Sequence, residues 1–170
     1  MYTSMNSKDN ISMNKSNPFE AIMKGKVVLF GIGNILRGDD GLGPILLERL
    51  KGRVNAVCIN AENAPEKYLG KIIKENPDTL LIIDAVHLNI GPGEYEIISS
   101  SNLRNTCFTT HDISLTMLIE YLKTEINSKI YILGVQPQRL RLGDGISESI
   151  DNTISIIANM IIEALPKERQ

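Results

Sequence analysis

Asp39, Asp40, Asp84 and His111 are the residues of this chain whose types and surroundings suit chemistry best. Asp39 and Asp40 stand in a loop punctuated by glycine, Gly33 to Gly43. Asp84 sits near the end of an apolar run, Thr79 to Ala85 (TLLIIDA), where a carboxylate is costly to bury unless a partner meets it. His111, one of two histidines, lies between Thr110 and the start of an amphipathic segment, away from any apolar stripe. Two carboxylates and one imidazole form an O,O,N set. Such a set binds a divalent transition metal and leaves coordination positions open for water or substrate.

Each residue also has a plainer role open to it. Asp39 or Asp40 can cap the helix that follows. Asp84 can accept backbone N–H bonds in the next turn, and His111 or Asp112 can serve as a helix cap. The adjacent acids with Asp84 facing them would make an aspartic dyad, an alternative route to hydrolysis. His87 lies three residues past Asp84 and is a candidate outer ligand. Cys107, four residues before His111, can ligate or attack, although a lone cysteine is more often a small buried hydrophobe. The run Gly31-Ile32-Gly33-Asn34-Ile35-Leu36 starts like a dinucleotide-binding loop but has Leu36 where the third glycine belongs. A phosphate loop, a G-x-S-x-G elbow and an H-E-x-x-H pair are all missing from the sequence.

These side chains need elements to hold them. Lys26 to Ile32 is short, apolar and rich in β-branched residues, as in a buried parallel strand. Pro44 stands where a first helical residue is expected, and Ile45, Leu46 and Leu50 give that helix its apolar face. Val54 to Ile59 reads as a second strand. Asn63 to Glu66 opens a second helix that runs to about Lys74, before the turn Asn76-Pro77-Asp78. Thr79 to Ala85 is the strongest strand. Glu94 to Ile98 alternates polar and apolar after Gly91-Pro92-Gly93, which suits a half-exposed antiparallel edge strand. Thr110-His111-Asp112 opens a third helix, with Ile113, Met117, Leu118, Tyr121 and Leu122 on one side. Lys129 to Val135 is a further buried strand and Gln136 to Gly145 a loop. Ile150, Ile154, Ile157, Met160 and Ile161 form the inner face of a closing helix. Alternating strands and helices call for an α/β three-layer sandwich: a twisted, mostly parallel five-strand sheet with helices on both faces. In open sheets of this kind ligands bind beyond the carboxyl ends of the strands, and Asp39, Asp40, Asp84 and His111 all map there.

Composition bounds the rest. The 170 residues suit one domain, with 42% hydrophobic and 22% charged residues, ordinary globular values. A formal net charge of −2 gives no basic stripe for nucleic acid. No apolar run approaches the ~18 residues of a membrane span. Cys58 and Cys107 are too few for a disulfide framework, which points to a reducing cytoplasm. The polar segment Met1 to Glu20 has no apolar core of a signal peptide. Residues 1–24 are therefore expected to form a disordered extension without chemistry, and residues 25–165 a single domain.

At this point the motifs resemble those of a known family. Gly31-Ile32-Gly33-Asn34-Ile35-Leu36-Arg37-Gly38-Asp39-Asp40-Gly41-Leu42-Gly43 resembles the opening motif of the hydrogenase maturation endopeptidases. Ala64-Pro65-Glu66 resembles their second motif, and Leu81 to Ala85 with Gly91-Pro92-Gly93-Glu94 their central strand and turn. Thr109-Thr110-His111 with Leu115 and Leu118 resembles their histidine motif, and Gly134-Val135-Gln136-Pro137 the end of their last strand. The order agrees over residues 26–163. One departure is Glu148 after Ser147, where relatives often carry proline; Cys107 matches no site residue of the family.

The resemblance implies an endopeptidase with a divalent ion, nickel foremost, held by Asp40, Asp84 and His111. The implied substrate is the precursor of a hydrogenase large subunit, already loaded with nickel, from which a short C-terminal peptide is cut. The nickel would be carried by the substrate. Asp39 fits the acidic position beside the ligand Asp40, where helix capping or a supporting bond to the site is expected of it, and either acid can be the catalytic base. The alternatives are a non-catalytic nickel-binding chaperone on the same fold and a generic nucleotide-binding domain. No nucleic-acid or membrane partner is implied, and the chain is expected to work as a monomer.

Overall fold

The computed structural model describes residues 16–105 and 113–167. Ten regular elements follow one another: α1 (Pro18–Ile22), β1 (Val27–Ile32), α2 (Leu42–Leu50), β2 (Val57–Glu62), α3 (Leu69–Glu75), β3 (Thr79–Ala85), β4 (Tyr95–Ser99), α4 (Ile113–Glu125), β5 (Lys129–Val135) and α5 (Glu148–Ala164). Short 3-10 turns at Gly38–Gly41, Pro65–Tyr68 and Ser100–Asn105 lead into α2 and α3 and out of β4.

The five strands form one sheet in the order β2-β1-β3-β5-β4. All pairs are parallel except β4 with β5, so the sheet is mostly parallel with one antiparallel edge, as expected. Its central strands are buried on both faces, and their side chains divide by period two. Leu29, Leu81, Ile83 and Leu133 pack under α1, α2 and α5. Val28, Phe30, Leu80, Ile82, Ile130 and Ile132 pack under α3 and α4. Double-sided burial explains why β1, β3 and β5 read as nearly unbroken apolar runs.

Several boundaries move from their expected places. The packed domain begins before residue 25: Pro18–Ile22 forms a helix whose Phe19 is fully buried against α5, and Asn17 caps it through a 3.0 Å bond to the Phe19 N–H. Residues 1–15 lie outside the described residues. The second strand runs three residues later than Val54 to Ile59. Pairing with β1 fixes it in register from Val28 opposite Val57, while Val54 bridges Pro166. The second helix starts at Leu69, because Pro65–Tyr68 is wound as a 3-10 turn. Pro44 falls inside the first turn of α2 and not at its first residue, still a place where no N–H is missed. Thr79 to Ala85 and Lys129 to Val135 lie where expected, and the edge strand, expected at Glu94 to Ile98, runs one residue later. Among the described residues no helix is long and apolar enough to cross a membrane.

Candidate active site at the carboxyl ends of β1 and β3

The connection leaving β1 runs through α2 on one face of the sheet, whereas α4, which follows β3 and β4, lies on the other. β1 and β3 are hydrogen-bonded neighbours. The chain therefore diverges in opposite directions from their carboxyl ends, a topological switch point where a crevice opens. The loop with Asp39 and Asp40 leaves β1 at this place, and Asp84 lies near the end of β3.

A close approach of backbones sets their spacing. Gly43, in the first turn of α2, lies so near the strand ends that a Cβ added there would overlap the carbonyl oxygen of Ile32 and come 2.8 Å from that of Ile83. Only glycine lets the helix start this low over the sheet. The residue after Ile83 is Asp84, and Asp40 stands three residues before Gly43, so the backbones that carry the two acids leave neighbouring strand ends. Asp40 is half-buried, and its Oδ2 accepts a 3.1 Å bond from the backbone N–H of Asn34. Its Oδ1 accepts no hydrogen bond among the described residues. Asp84 is half-buried and engaged in an interaction of its own. The segment 106–112, with His111 and Cys107, lies outside the described residues, so the third member of the expected ligand set has no described position. Among the described residues no group of three His, Cys, Asp or Glu side chains is arranged to hold a metal ion.

Asp39 differs from its expected role. It is fully buried, and four donors occupy its carboxylate: Ser147 N–H to Oδ1 at 2.7 Å, and Gln138 N–H, Arg139 N–H and Ser147 Oγ–H to Oδ2 at 2.8, 2.9 and 2.9 Å. Burial alone would push its pKa up, but the bonds from Ser147, Arg139 and Gln138 outweigh it and hold the carboxyl below its usual range. A carboxylate so encased is a weak base with no surface exposed to an attacking water. The expectation of Asp39 as a catalytic base is therefore corrected: it ties the loop after β5 to the loop after β1. Nor does it cap α2, whose first turn shows no side-chain cap.

Two residues that the sequence reading left without a role complete this scaffold. Ser147 precedes α5 like a helix cap, but its side chain turns to Asp39 and makes no cap bond. Gln136, at the end of β5, accepts a 2.7 Å bond from Leu88 N–H and so pins the loop after β3. Its amide nitrogen lies 3.4 Å from Nδ1 of His87, which is exposed. Serine before a helix and glutamine after a strand carry no distinctive signal, because their partners are about fifty to a hundred residues away.

Beside Asp40 a cleft of about 350 Å³ opens between the loop after β1 and the end of β2. Asn34, Asn60, Glu62 and Asn63 supply its polar lining, and Ile35, Leu36 and Pro44 its apolar one. Glu62 adopts a left-handed φ of 50°, which non-glycine residues rarely take and which turns the chain out of β2 at the cleft.

A family model described as hydrogenase maturation protease matches residues 45–164. The chain belongs to the hydrogenase maturation protease family. It is 39% identical over 113 residues to the hydrogenase 3 maturation protease of Escherichia coli, covering 65% of this chain and 72% of that one. The crystal structure of a NiFe hydrogenase maturation protease HycI from Thermococcus kodakarensis superposes with a TM-score of 0.79 at 33% identity, covering 86% of this chain and 97% of that one. The solution structure of an endopeptidase HycI from Escherichia coli superposes at 0.73 with 32% identity, covering 81% and 90%. As a member of the hydrogenase maturation proteases the chain is a peptide hydrolase, and its α/β fold is theirs.

Proposed function

We propose that this protease removes the C-terminal extension of a hydrogenase large-subunit precursor that already carries nickel, and that it does so in the cytoplasm as a monomer. The observation that supports this reading best is the approach of Gly43 to Ile83, which sets the loop bearing Asp40 against the strand that ends in Asp84, at the switch point. The nickel belongs to the substrate. Asp40, Asp84 and His111 are the residues proposed to meet it, and a divalent ion there supplies polarisation of the scissile carbonyl or of an attacking water.

The chain's own contribution is orientation. The Asn34 N–H fixes one oxygen of Asp40, and the other accepts no hydrogen bond among the described residues. The carboxamides of Asn34, Asn60 and Asn63 line the adjoining cleft, where they suit the peptide groups of an extended segment. Asp39 holds the rim in place and touches no substrate.

The test is to mix the protein with nickel-loaded precursor and weigh the products. Loss of the tail mass establishes this substrate. Stable binding without mass loss would turn the reading to a nickel-binding chaperone, and no interaction would count against this precursor as the substrate.

A further inference from the structure

Next to the crevice two loops are stitched into one rigid ledge. The backbone N–H of Asp39 donates to Arg139 O at 2.9 Å, that of Gly38 to Asp144 O at 3.0 Å, and that of Gly143 to Leu36 O at 2.9 Å. Gly38, at φ 55°, packs so closely that a Cβ would lie 2.7 Å from Arg139 O. The four bonds to the Asp39 carboxylate lock the same two segments from below.

This ledge displays side chains that the fold itself does not use. Leu36 is 63% exposed and Leu142 71% exposed, although the backbones carrying them are within hydrogen-bonding distance. Ile35, at 62%, continues the apolar surface into the cleft. Arg37, Arg139 and Arg141 flank the leucines, and all three are exposed. Among the described residues Arg37 and Arg139 use their guanidinium groups in no hydrogen bond or ion pair, and Arg141 only approaches Asp144 at 3.9 Å. The three arginines are exposed, whereas the aspartates of the same segments are buried (Asp39) or half-buried (Asp40 and Asp144), so the exposed charge of the ledge is cationic. Exposed leucines and arginines on a preorganised backbone make a protein-docking surface, since little ordering entropy remains to be lost on association.

We infer that the ledge formed by Leu36, Arg37, Arg139, Arg141 and Leu142 docks the folded body of the substrate protein, through an apolar patch on it ringed by carboxylates. This rests on the proteolytic reading above and adds the surface that selects the substrate. The guanidinium groups steer the acidic rim, the leucines fill the apolar centre, and the ledge's continuity with the cleft leads the tail past Asp40.

The test compares wild-type protein, R139E/R141E, R141Q and L142D in steady-state tail removal from nickel-loaded precursor, over a range of salt. The double variant should raise KM by about tenfold or more at low salt and leave kcat within about twofold. L142D should raise KM by about fivefold. The wild-type KM should climb with salt, and that of the double variant should not. R141Q alters one exposed side chain and keeps a graded KM effect measurable should the double variant fold poorly. Unchanged KM in R141Q and L142D, or a loss confined to kcat, would overturn the docking surface while leaving the protease intact. Self-association of the wild type that L142D abolishes would also overturn it, by assigning the patch to a second copy. A wild-type protein that leaves the precursor uncut would sink the proteolytic reading, and this inference with it.

Discussion

Asp39 and Ser147, 108 residues apart in the chain, are joined twice: Ser147 donates its N–H to Oδ1 at 2.7 Å and its hydroxyl to Oδ2 at 2.9 Å. With Gln138 and Arg139 this makes a buried carboxylate the knot between two loops. Asp39→Asn would turn an amide N–H₂ toward backbone donors and leave at least one of them unmet, so it should cost roughly 3 kcal/mol of stability. Ser147→Ala keeps the backbone bond and should cost about 1 kcal/mol. Denaturant unfolding of both variants checks the ranking.

The same carboxylate sets a pH dependence. Its folded pKa lies below the unfolded value, so the unfolded chain binds the extra proton in the interval between the two. Its stabilisation is complete above the unfolded pKa, about 4, and is lost as pH falls through the lower folded value. Unfolding midpoints followed down the acid limb should fall less steeply for Asp39→Asn than for the wild type. Parallel limbs would mean that Asp39 does not contribute to acid lability.

Asp40 should behave in the opposite way. It is half-buried, and an asparagine there can still accept the Asn34 N–H bond. Asp40→Asn should therefore keep stability within about 1 kcal/mol while lowering the rate of tail removal at least about a hundredfold. Precursor cleavage at saturating substrate, paired with a thermal melt, separates it from Asp39→Asn, in which activity and stability fall together. Full cleavage by Asp40→Asn would remove Asp40 from the site.

Much of this was legible in the sequence. β3 and β5 are apolar except for Thr79, Asp84 and Lys129 at their ends because both sheet faces are covered, so composition marked their ends correctly. The edge strand β4 showed itself by alternation. The start of β2 was misplaced because Val54 and Val57 are equally apolar, and only pairing with β1 decides between them. The two neighbouring acids Asp39 and Asp40 could not be told apart, since adjacent residues in a 3-10 turn point in different directions, and only Asp39 is turned into the core.

The N-terminal segment illustrates the same limit. Its polar composition suggested an extension, yet one aromatic in it docks on the core. Phe19 is fully buried with Met23 between α1 and α5. Phe19→Ala should cost about 3–5 kcal/mol, a loss no disordered tail could produce. A shift in chemical denaturation of less than about 1 kcal/mol would place α1 outside the cooperative unit.

Gly43 offers the sharpest test of how the fold builds the site. A methyl group at this position meets two carbonyl oxygens at once, Ile32 from β1 and Ile83 from β3, and neither can yield because both strands are central in the sheet. The first turn of α2 must then rise, taking Asp40 away from Asp84. Overpacking of this kind costs roughly 1–3 kcal/mol, leaving enough stability for a folded protein at 25 °C. Displacement of a reacting group by about 1 Å can cost on the order of a hundredfold in rate. Gly43→Ala should accordingly lose far more activity than its stability loss explains. Measured at a temperature where both proteins are fully folded, equal rates for Gly43→Ala and the wild type would show that the helix–strand contact does not set the spacing of the two acids.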